Sequence, residues 1–269
     1  KNIPHIALGV VKFLKLEKIH IVAPDEQCEA LGIDKLSSVN PKDIDYLISM
    51  GGDGTILRLK HFFPQLEAPI FAINLGSLGF MADIAEPDIY PSLKDFLAGR
   101  FTIEKRVMME AISPIGETFF AVNETVIHRS QNPNLVDISI QVDDLYLNTF
   151  SADGIIIATP SGSTAYSLAA GGPILTPNLE AFVVTPISPH TMSNRPIVLM
   201  PEKEIQVQFL NSEIDIEVTF DGTKSFPFAP GEILQIKKSQ KTFDLVKLSR
   251  QDYFSTLRKK LGWTGKLAI

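Results

Sequence analysis

Only one cysteine, Cys28, occurs in the 269-residue chain. That excludes an internal disulfide framework and fits a reducing compartment, so a cytoplasmic location is the default expectation. No apolar run approaches the length of a membrane-spanning helix, and no secretory signal is recognisable, so no membrane partner is expected. Positive charge is not in excess: 25 Lys and Arg stand against 31 Asp and Glu, a net charge of −6. Without a basic face or stripe, nucleic acid is not an expected partner, and the small Arg258-Lys259-Lys260 cluster reads as the dipole-favoured end of a last helix. His5, His20, His61, His128 and His190 show no ligand spacing, so no metal-binding residue is named. Internal repeats, low-complexity segments and long flexible linkers are also lacking. The chain starts at Lys1 with no initiator Met, which favours a trimmed or incomplete N-terminus.

What is present is an ordinary globular composition, 45% hydrophobic and 21% charged, on a length suited to one large or two modest domains. Two textures divide it. Up to residue 99, strand-like runs (19–23, 46–50, 69–73) alternate with helical ones (26–31, 56–63, 87–98), after an opening helix-like stretch 1–15. That alternation predicts βαβ units and a mostly parallel sheet, a Rossmann-like α/β domain. Residues 100–249 are β-rich, with strands expected at 108–113, 118–128, 135–142, 145–150, 155–158, 196–200, 205–209, 214–220, 233–239 and 242–247. Asp143-Asp144 suits a tight hairpin turn, and many short strands with polar turns point to a sandwich-like domain. Residues 252–261 are again helical, and the segment 250–269 is expected to pack back on the first domain.

The chemistry concentrates at strand ends. Gly51-Gly52-Asp53-Gly54-Thr55 follows one strand-like run and opens a helix-like one. Glycines there allow close approach of a ligand, and the helix N-terminus offers unpaired N–H groups and a positive dipole end that attract phosphate. The carboxylate of Asp53 would repel phosphate, so it reads as a built-in base. The loop is neither a Walker A sequence, which needs Gly-Lys-Ser/Thr, nor G-x-G-x-x-G. Asn74-Leu75-Gly76-Ser77-Leu78-Gly79-Phe80 again places glycines at a strand's carboxyl end, where open parallel sheets bind ligands. Asn123-Glu124 interrupts a strand-like run; an amide and a carboxylate side by side can read a base edge and a ribose diol, though such pairs more commonly face water. Asp153-Gly154 leads through a strand into Thr159-Pro160-Ser161-Gly162-Ser163-Thr164-Ala165-Tyr166-Ser167, then Gly171-Gly172-Pro173. Its hydroxyls reach a short distance, and Tyr166 offers a face for a purine. Ser161 lies in P-S-G-S-T rather than G-x-S-x-G, so a serine hydrolase is not supported.

Together these segments, with Pro186 to His190 and Ser193-Asn194-Arg195-Pro196, resemble the NAD kinase family, whose GGDGT, NxGxLGF, NE, DG…TPTGSTAYSLSAGGP and PxxPH…SNRP elements occur in this order. The GGDGT element alone is shared with diacylglycerol, sphingosine and phosphofructo-kinases. The resemblance implies an α/β domain paired with a β-rich one, and phosphorylation of the adenosine 2′-hydroxyl of NAD by ATP or polyphosphate, with Mg²⁺ or another divalent cation accompanying ATP. It implies a homodimer or homotetramer whose subunits complete each other's sites. By the same resemblance Asp53 is the proton acceptor, Gly54 its neighbour at the nucleotide, and Arg58 a donor-phosphate contact. Asn123 and Glu124 contact adenine and ribose. Ser161, Thr164, Ala165, Tyr166, Ser167, Leu168 and Ala169 form an adenine-side cradle, and Asp153 and Ser188 lie toward the nicotinamide end. Ser161 stands where the family commonly has Thr, which keeps the hydroxyl.

Two rival classes make distinct demands. A lipid kinase would share the Gly51–Thr55 loop but need an apolar acceptor pocket, against which the hydroxyl-rich turn argues. A non-catalytic NAD sensor would share the cradle but have no use for Asp53.

Overall fold

A computed structural model describes residues 3–131, 134–210, 216–249 and 252–265. The chain divides into two compact units, Lys1–Glu104 with Asp244–Ile269, and Lys105–Phe243.

In the first unit the strands Leu47–Gly51 and Ile70–Asn74 pair in parallel, from Leu47 opposite Ile70 to Gly51 opposite Asn74. All five residues of Ile70–Asn74 are buried, as expected of a central parallel strand covered on both faces. Ile84–Ala85 also pairs with it in parallel, and Leu245 lies opposite Ile70. Because side chains alternate along a strand, Phe71 and Ile73 share one face. Onto them pack Val10 and Leu14 of the helix Ile3–Leu16, Ile89 and Leu93 of the helix Ile89–Leu97, and Val246 and Leu248. Each such fully buried side chain stabilises the fold by roughly 1.5–3 kcal/mol. The helix Asp53–Phe62 follows the first of these strands directly and buries Ile56. The expected strand at 19–23 shrinks to Val22–Ala23, which pairs in parallel with an unforeseen two-residue strand, Asp34–Lys35.

The second unit is a sandwich. One sheet runs, in spatial order, Ile197–Leu199, Phe182–Ile187, Gly154–Ala158, Glu124–His128, Ile216–Phe220 and Lys224–Phe228, every pair antiparallel. Facing it, Leu145–Ala152, Val136–Val142 and Ile205–Phe209 are antiparallel neighbours, and Ile205–Phe209 also pairs with the start of Ile233–Leu248. Ile155, Ile157, Phe182 and Phe220 from the first sheet share one buried core with Ile138, Ile140, Val207 and Leu234 from the second. Asp143 and Asp144 both take left-handed φ, 48° and 63°, and close the hairpin between Val142 and Leu145.

The α/β unit and the β-rich unit agree with the expected fold class, and three details correct the strand assignments. The run 118–128 is two strands, Thr118–Ala121 in one sheet and Glu124–His128 in the other, so the chain changes sheets at Val122-Asn123. The runs 233–239 and 242–247 are one strand, Ile233–Leu248; the polar residues between them contain neither Gly nor Pro, and the strand continues through them. Phe182–Ile187 and Lys224–Phe228 carry prolines and were not expected as strands. Pro186 lies beyond the last residue paired to Ile197–Leu199, and Pro227 sits on the outermost strand, so neither removes a needed ladder donor. Residues 214 and 215 of the expected strand 214–220 lie outside the described residues.

Candidate functional site

The register that sets Gly51 opposite Asn74 brings two glycine loops side by side at the carboxyl ends of their strands. Asn74 organises its own loop: its side-chain nitrogen donates to Ser77 O and Ala82 O, both at 2.8 Å, and its oxygen accepts from Gly76 N. Asp53, the first helical residue, reaches across from the other loop. Its Oδ2 accepts from Phe80 N at 2.8 Å, and its Oδ1 accepts from Met81 N at 3.1 Å and Ala82 N at 2.8 Å. Gly79 is required for this approach, since a Cβ there would overlap Asp53 Oδ1 and come within 2.9 Å of Ala82 O. The aromatic ring of Phe80, next in the chain, lies 6.2 Å from that of Tyr253, and Lys260 Nζ sits 5.2 Å from its centroid.

Gly52, the residue before the helix, is extended (φ −95°, ψ −175°), and no side chain caps the helix start. Gly54 is exposed at the second helical position. Arg58 is exposed too, but five residues after Asp53 it points roughly 140° around the helix from it. Arg58 is thus turned away from Asp53 but lies one helical turn after Gly54, on nearly the same face as that glycine.

In the second unit Asn123 and Glu124 sit where the chain changes sheets, 7% and 8% exposed. Asn123 Oδ1 and Glu124 Oε2 are buried acceptors with no hydrogen-bond partner. Burial first, and the negative charge of Asp221 second, push the Glu124 carboxyl from its ordinary 4.5 up to about 8. Such burial excludes the water-facing strand end that the sequence offers as the commoner reading of this pair.

The strand Gly154–Ala158 pairs with Glu124–His128, Ala158 opposite Glu124, and delivers the hydroxyl-rich turn to the same place. Thr159 N donates to Asn123 O at 2.8 Å, and its Oγ1 donates to Val122 O at 2.6 Å. A Cβ on Gly162 would overlap Asn123 O, so this glycine permits the turn to lie against the pair. Ser161 is buried, 3.4 Å from Nη1 of the buried Arg106. Thr164 Oγ1 donates to Ser161 O at 3.1 Å. Ser167 Oγ is 2.9 Å from Thr185 Oγ1, and Ser163 Oγ accepts from Leu175 N at 2.9 Å. These hydroxyls thus brace the turn. Tyr166 stands out from it, 45% exposed, flanked by the partly buried Ala165 and Leu168 and the exposed Ala169.

Asp153 and Ser188 meet at the opposite end of that strand. Asp153 N donates to Ile187 O at 2.9 Å, its carboxylate pairs with Arg129 Nε at 3.0 Å, and Ser188 holds a left-handed φ of 46°. Five strand residues, about 16 Å, separate them from Glu124 along the sheet. Among the described residues no cluster of three or more His, Cys, Asp or Glu is placed to hold a metal ion, and no helix is long and apolar enough to cross a membrane.

Against known proteins, the ATP-NAD kinase N-terminal domain matches residues 10–101 and the ATP-NAD kinase C-terminal domain residues 122–248. The NAD kinase of Protochlamydia amoebophila (strain UWE25) is 58% identical over 264 residues, 98% of this chain and 95% of that protein. The chain belongs to the NAD kinase family. The NAD kinase of Caldanaerobacter subterraneus subsp. tengcongensis is 40% identical over 221 residues, 81% of this chain and 78% of its own length. Among solved structures of the family, an NAD kinase from Archaeoglobus fulgidus in complex with ATP has a TM-score of 0.71 at 29% identity, covering 90% of this chain and 94% of that one. A yeast NADH kinase complexed with NADH shares the fold, with a TM-score of 0.87 at 23% identity over 99% and 85% of the two chains.

Sequence reasoning missed three residues that shape this candidate site. Gly79 and Gly162 were read only as parts of glycine-rich turns, and their need appears once the neighbouring atoms are placed. Asp221 was not singled out at all. Asp221-Gly222 carries only a hairpin-turn signal in the sequence, and nothing there says which residues its carboxylate will meet.

Proposed function

We propose that this NAD kinase transfers a phosphoryl group from ATP to the adenosine 2′-hydroxyl of NAD, forming NADP. The observation that carries the reading is the pair of orphaned buried acceptors, Asn123 Oδ1 and Glu124 Oε2, beside a turn that presents Tyr166. Buried acceptors without donors cost about 1–3 kcal/mol each, and a ligand bearing an exocyclic amine and ribose hydroxyls supplies the donors. Tyr166 adds a stacking face for the purine.

Phosphoryl transfer asks a protein mainly for alignment and charge neutralisation. A carboxylate offers about four acceptor positions, and backbone N–H groups occupy three of those on Asp53. The remaining one, on Oδ2, is the position from which Asp53 takes the 2′-hydroxyl proton as attack proceeds. Such general-base help contributes roughly 10²–10⁴-fold. Gly54, without a side chain at an uncapped helix start, leaves backbone donors open to phosphate. Ser161, Thr164, Ala165, Ser167, Leu168 and Ala169 shape the adenine side around Tyr166. Arg58, exposed on the same helix as Gly54, is a donor-phosphate contact in this reading.

In this reading a divalent cation comes in with ATP, since Mg²⁺ is commonly held by substrate phosphates and water with few protein ligands. When bound with ATP it neutralises phosphate charge. A homodimer or homotetramer is part of the same reading, in which Asp153 and Ser188, a strand's length from Glu124, lie toward the nicotinamide end. One buried thiol, Cys28, is consistent with a cytoplasmic setting.

The test is NADP formation from purified protein with NAD, Mg²⁺ and either ATP or polyphosphate, read with an NADP-specific dehydrogenase. Product with ATP is expected. No product with either donor, from folded protein, overturns the reading, and product with polyphosphate alone corrects the donor.

A further inference from the structure

The strand switch at Val122-Asn123 poses an accounting problem. Residues leaving one sheet for another lose their ladder partners, yet their backbone groups are buried and each must be bonded. The structure meets this demand from two residues, Asp221 and Thr159, through their side chains and backbone N–H groups. The Asp221 carboxylate takes all three amides: Oδ2 accepts from Val122 N at 2.9 Å, and Oδ1 accepts from Asn123 N at 2.8 Å and Glu124 N at 3.1 Å. Asp221 N in turn donates to Glu124 O at 3.0 Å. Thr159 supplies the other two donors, its Oγ1 to Val122 O and its N to Asn123 O. Every backbone polar group of residues 122–124 is thereby satisfied. The unpartnered atoms that remain there are the two side-chain acceptors, Asn123 Oδ1 and Glu124 Oε2.

Asp221 is itself fixed. It and Gly222 hold left-handed φ of 49° and 59°, and Thr223 N donates to Phe220 O at 2.9 Å, a turn whose first central position suits Asp, Asn or Gly. Three successive N–H groups converging on one anion form a nest, an arrangement that elsewhere binds free anions. Here the anion belongs to the chain.

We infer that Asp221 is a positioning residue for NAD: its carboxylate fills an anion nest made by Val122, Asn123 and Glu124 and so aims the Asn123 and Glu124 acceptors at the ligand. The inference rests on the proposed NAD kinase reading and deepens it, since Asp221 acts through the backbone of its neighbours. It follows that a small free carboxylate can stand in for the missing side chain, which a residue needed only to form the turn would not allow.

Two substitutions separate the turn from the nest. Asp221→Gly keeps the left-handed φ and empties the nest. Asp221→Asn keeps the φ and one acceptor oxygen, Oδ1, for two of the three amides. With wild type measured in parallel, Asp221→Gly should lose on the order of 100-fold in kcat/KM for NAD, the scale of a small misplacement, while KM for ATP stays close to wild type. Asp221→Asn should lose much less. Formate should restore Asp221→Gly toward wild type and leave Asp221→Asn unmoved. Amide exchange of residues 122–124 should rise in the Gly variant and fall again with formate. Equal activity of wild type and Asp221→Gly overturns the inference, as does an Asp221→Gly loss that formate does not relieve in either activity or exchange. If Asp221→Gly does not fold, Asp221→Asn decides: a raised KM for NAD with an unchanged KM for ATP supports the nest, and no change in either overturns it. If wild type itself makes no NADP, the functional reading has failed, and the exchange and formate measurements still decide whether Asp221 fills the nest.

Discussion

Asp53 and Asp221 make the same bonds for different ends. Each carboxylate accepts three backbone N–H groups from a segment distant in sequence, 80–82 for Asp53 and 122–124 for Asp221. Asp53 opens a helix beside an exposed glycine, and the proposed chemistry happens on its own oxygen. Asp221 sits in a hairpin turn, and the groups its bonds set in place are those of its neighbours. A clamped carboxylate is thus no evidence of catalysis by itself. What sets Asp221 apart is that two unpartnered buried acceptors, Asn123 Oδ1 and Glu124 Oε2, lie on the residues it clamps.

The comparison is broken most severely at Asp53. Asp53→Asn should lower kcat by about 10²–10⁴-fold, because the amide can neither take the proton nor accept all three N–H groups. Steady-state kinetics that leave kcat unchanged would remove Asp53 from the base role. Next come the glycines that let each clamp close. Gly79→Ala drives a methyl into Asp53 Oδ1, and Gly162→Ala drives one into Asn123 O. Each should cost about 1–3 kcal/mol of stability, read by denaturant unfolding. The first should act mainly on kcat and the second mainly on KM for NAD; the reverse pattern would contradict the division of labour.

A third prediction concerns Glu124, whose carboxyl is displaced far above the ordinary range. With its carboxyl raised from 4.5 to about 8, the folded chain holds a proton that the unfolded chain has released across that window. Its contribution therefore makes stability fall as pH rises from about 5 to about 8. Glu124→Gln should flatten that part of the Tm–pH profile; an identical slope in the variant would show that Glu124 is already ionised. The smallest effect is expected at Tyr166, whose ring is exposed and braces nothing. Tyr166→Ala should weaken NAD binding by about 0.5–1.5 kcal/mol in titration calorimetry, and an unaltered Kd would remove the ring from the nucleotide.

Much of this was legible in the sequence because local patterns carried it. Alternating strand and helix signals gave the α/β unit, and Asp143-Asp144 announced its turn. The glycine loops at 51–55 and 76–79 fall at strand ends, where parallel sheets bind ligands. What escaped was non-local. The sheet switch at Val122-Asn123 is hard to see because Phe119 to Val122 and Thr125 to Ile127 are both strand-like and no Gly or Pro breaks the Asn123-Glu124 pair between them. The partners of Asp221 lie almost a hundred residues earlier, and no spacing rule connects them. The hydroxyls of Ser163 and Ser167 looked like ligand donors, whereas their hydrogen bonds close the turn on Leu175 and Thr185. Prolines in Phe182–Ile187 and Lys224–Phe228 hid two strands, since a sequence does not say which ladder positions are left unpaired.

The most direct measurement compares NAD with its 2′-deoxyadenosine analogue as phosphoryl acceptor, with ATP and Mg²⁺, and locates the phosphate in the product by NMR. The account predicts that NAD gains a 2′-phosphate and that the analogue is bound but not converted. Phosphorylation of the analogue, or a product carrying phosphate at any other hydroxyl, would contradict it.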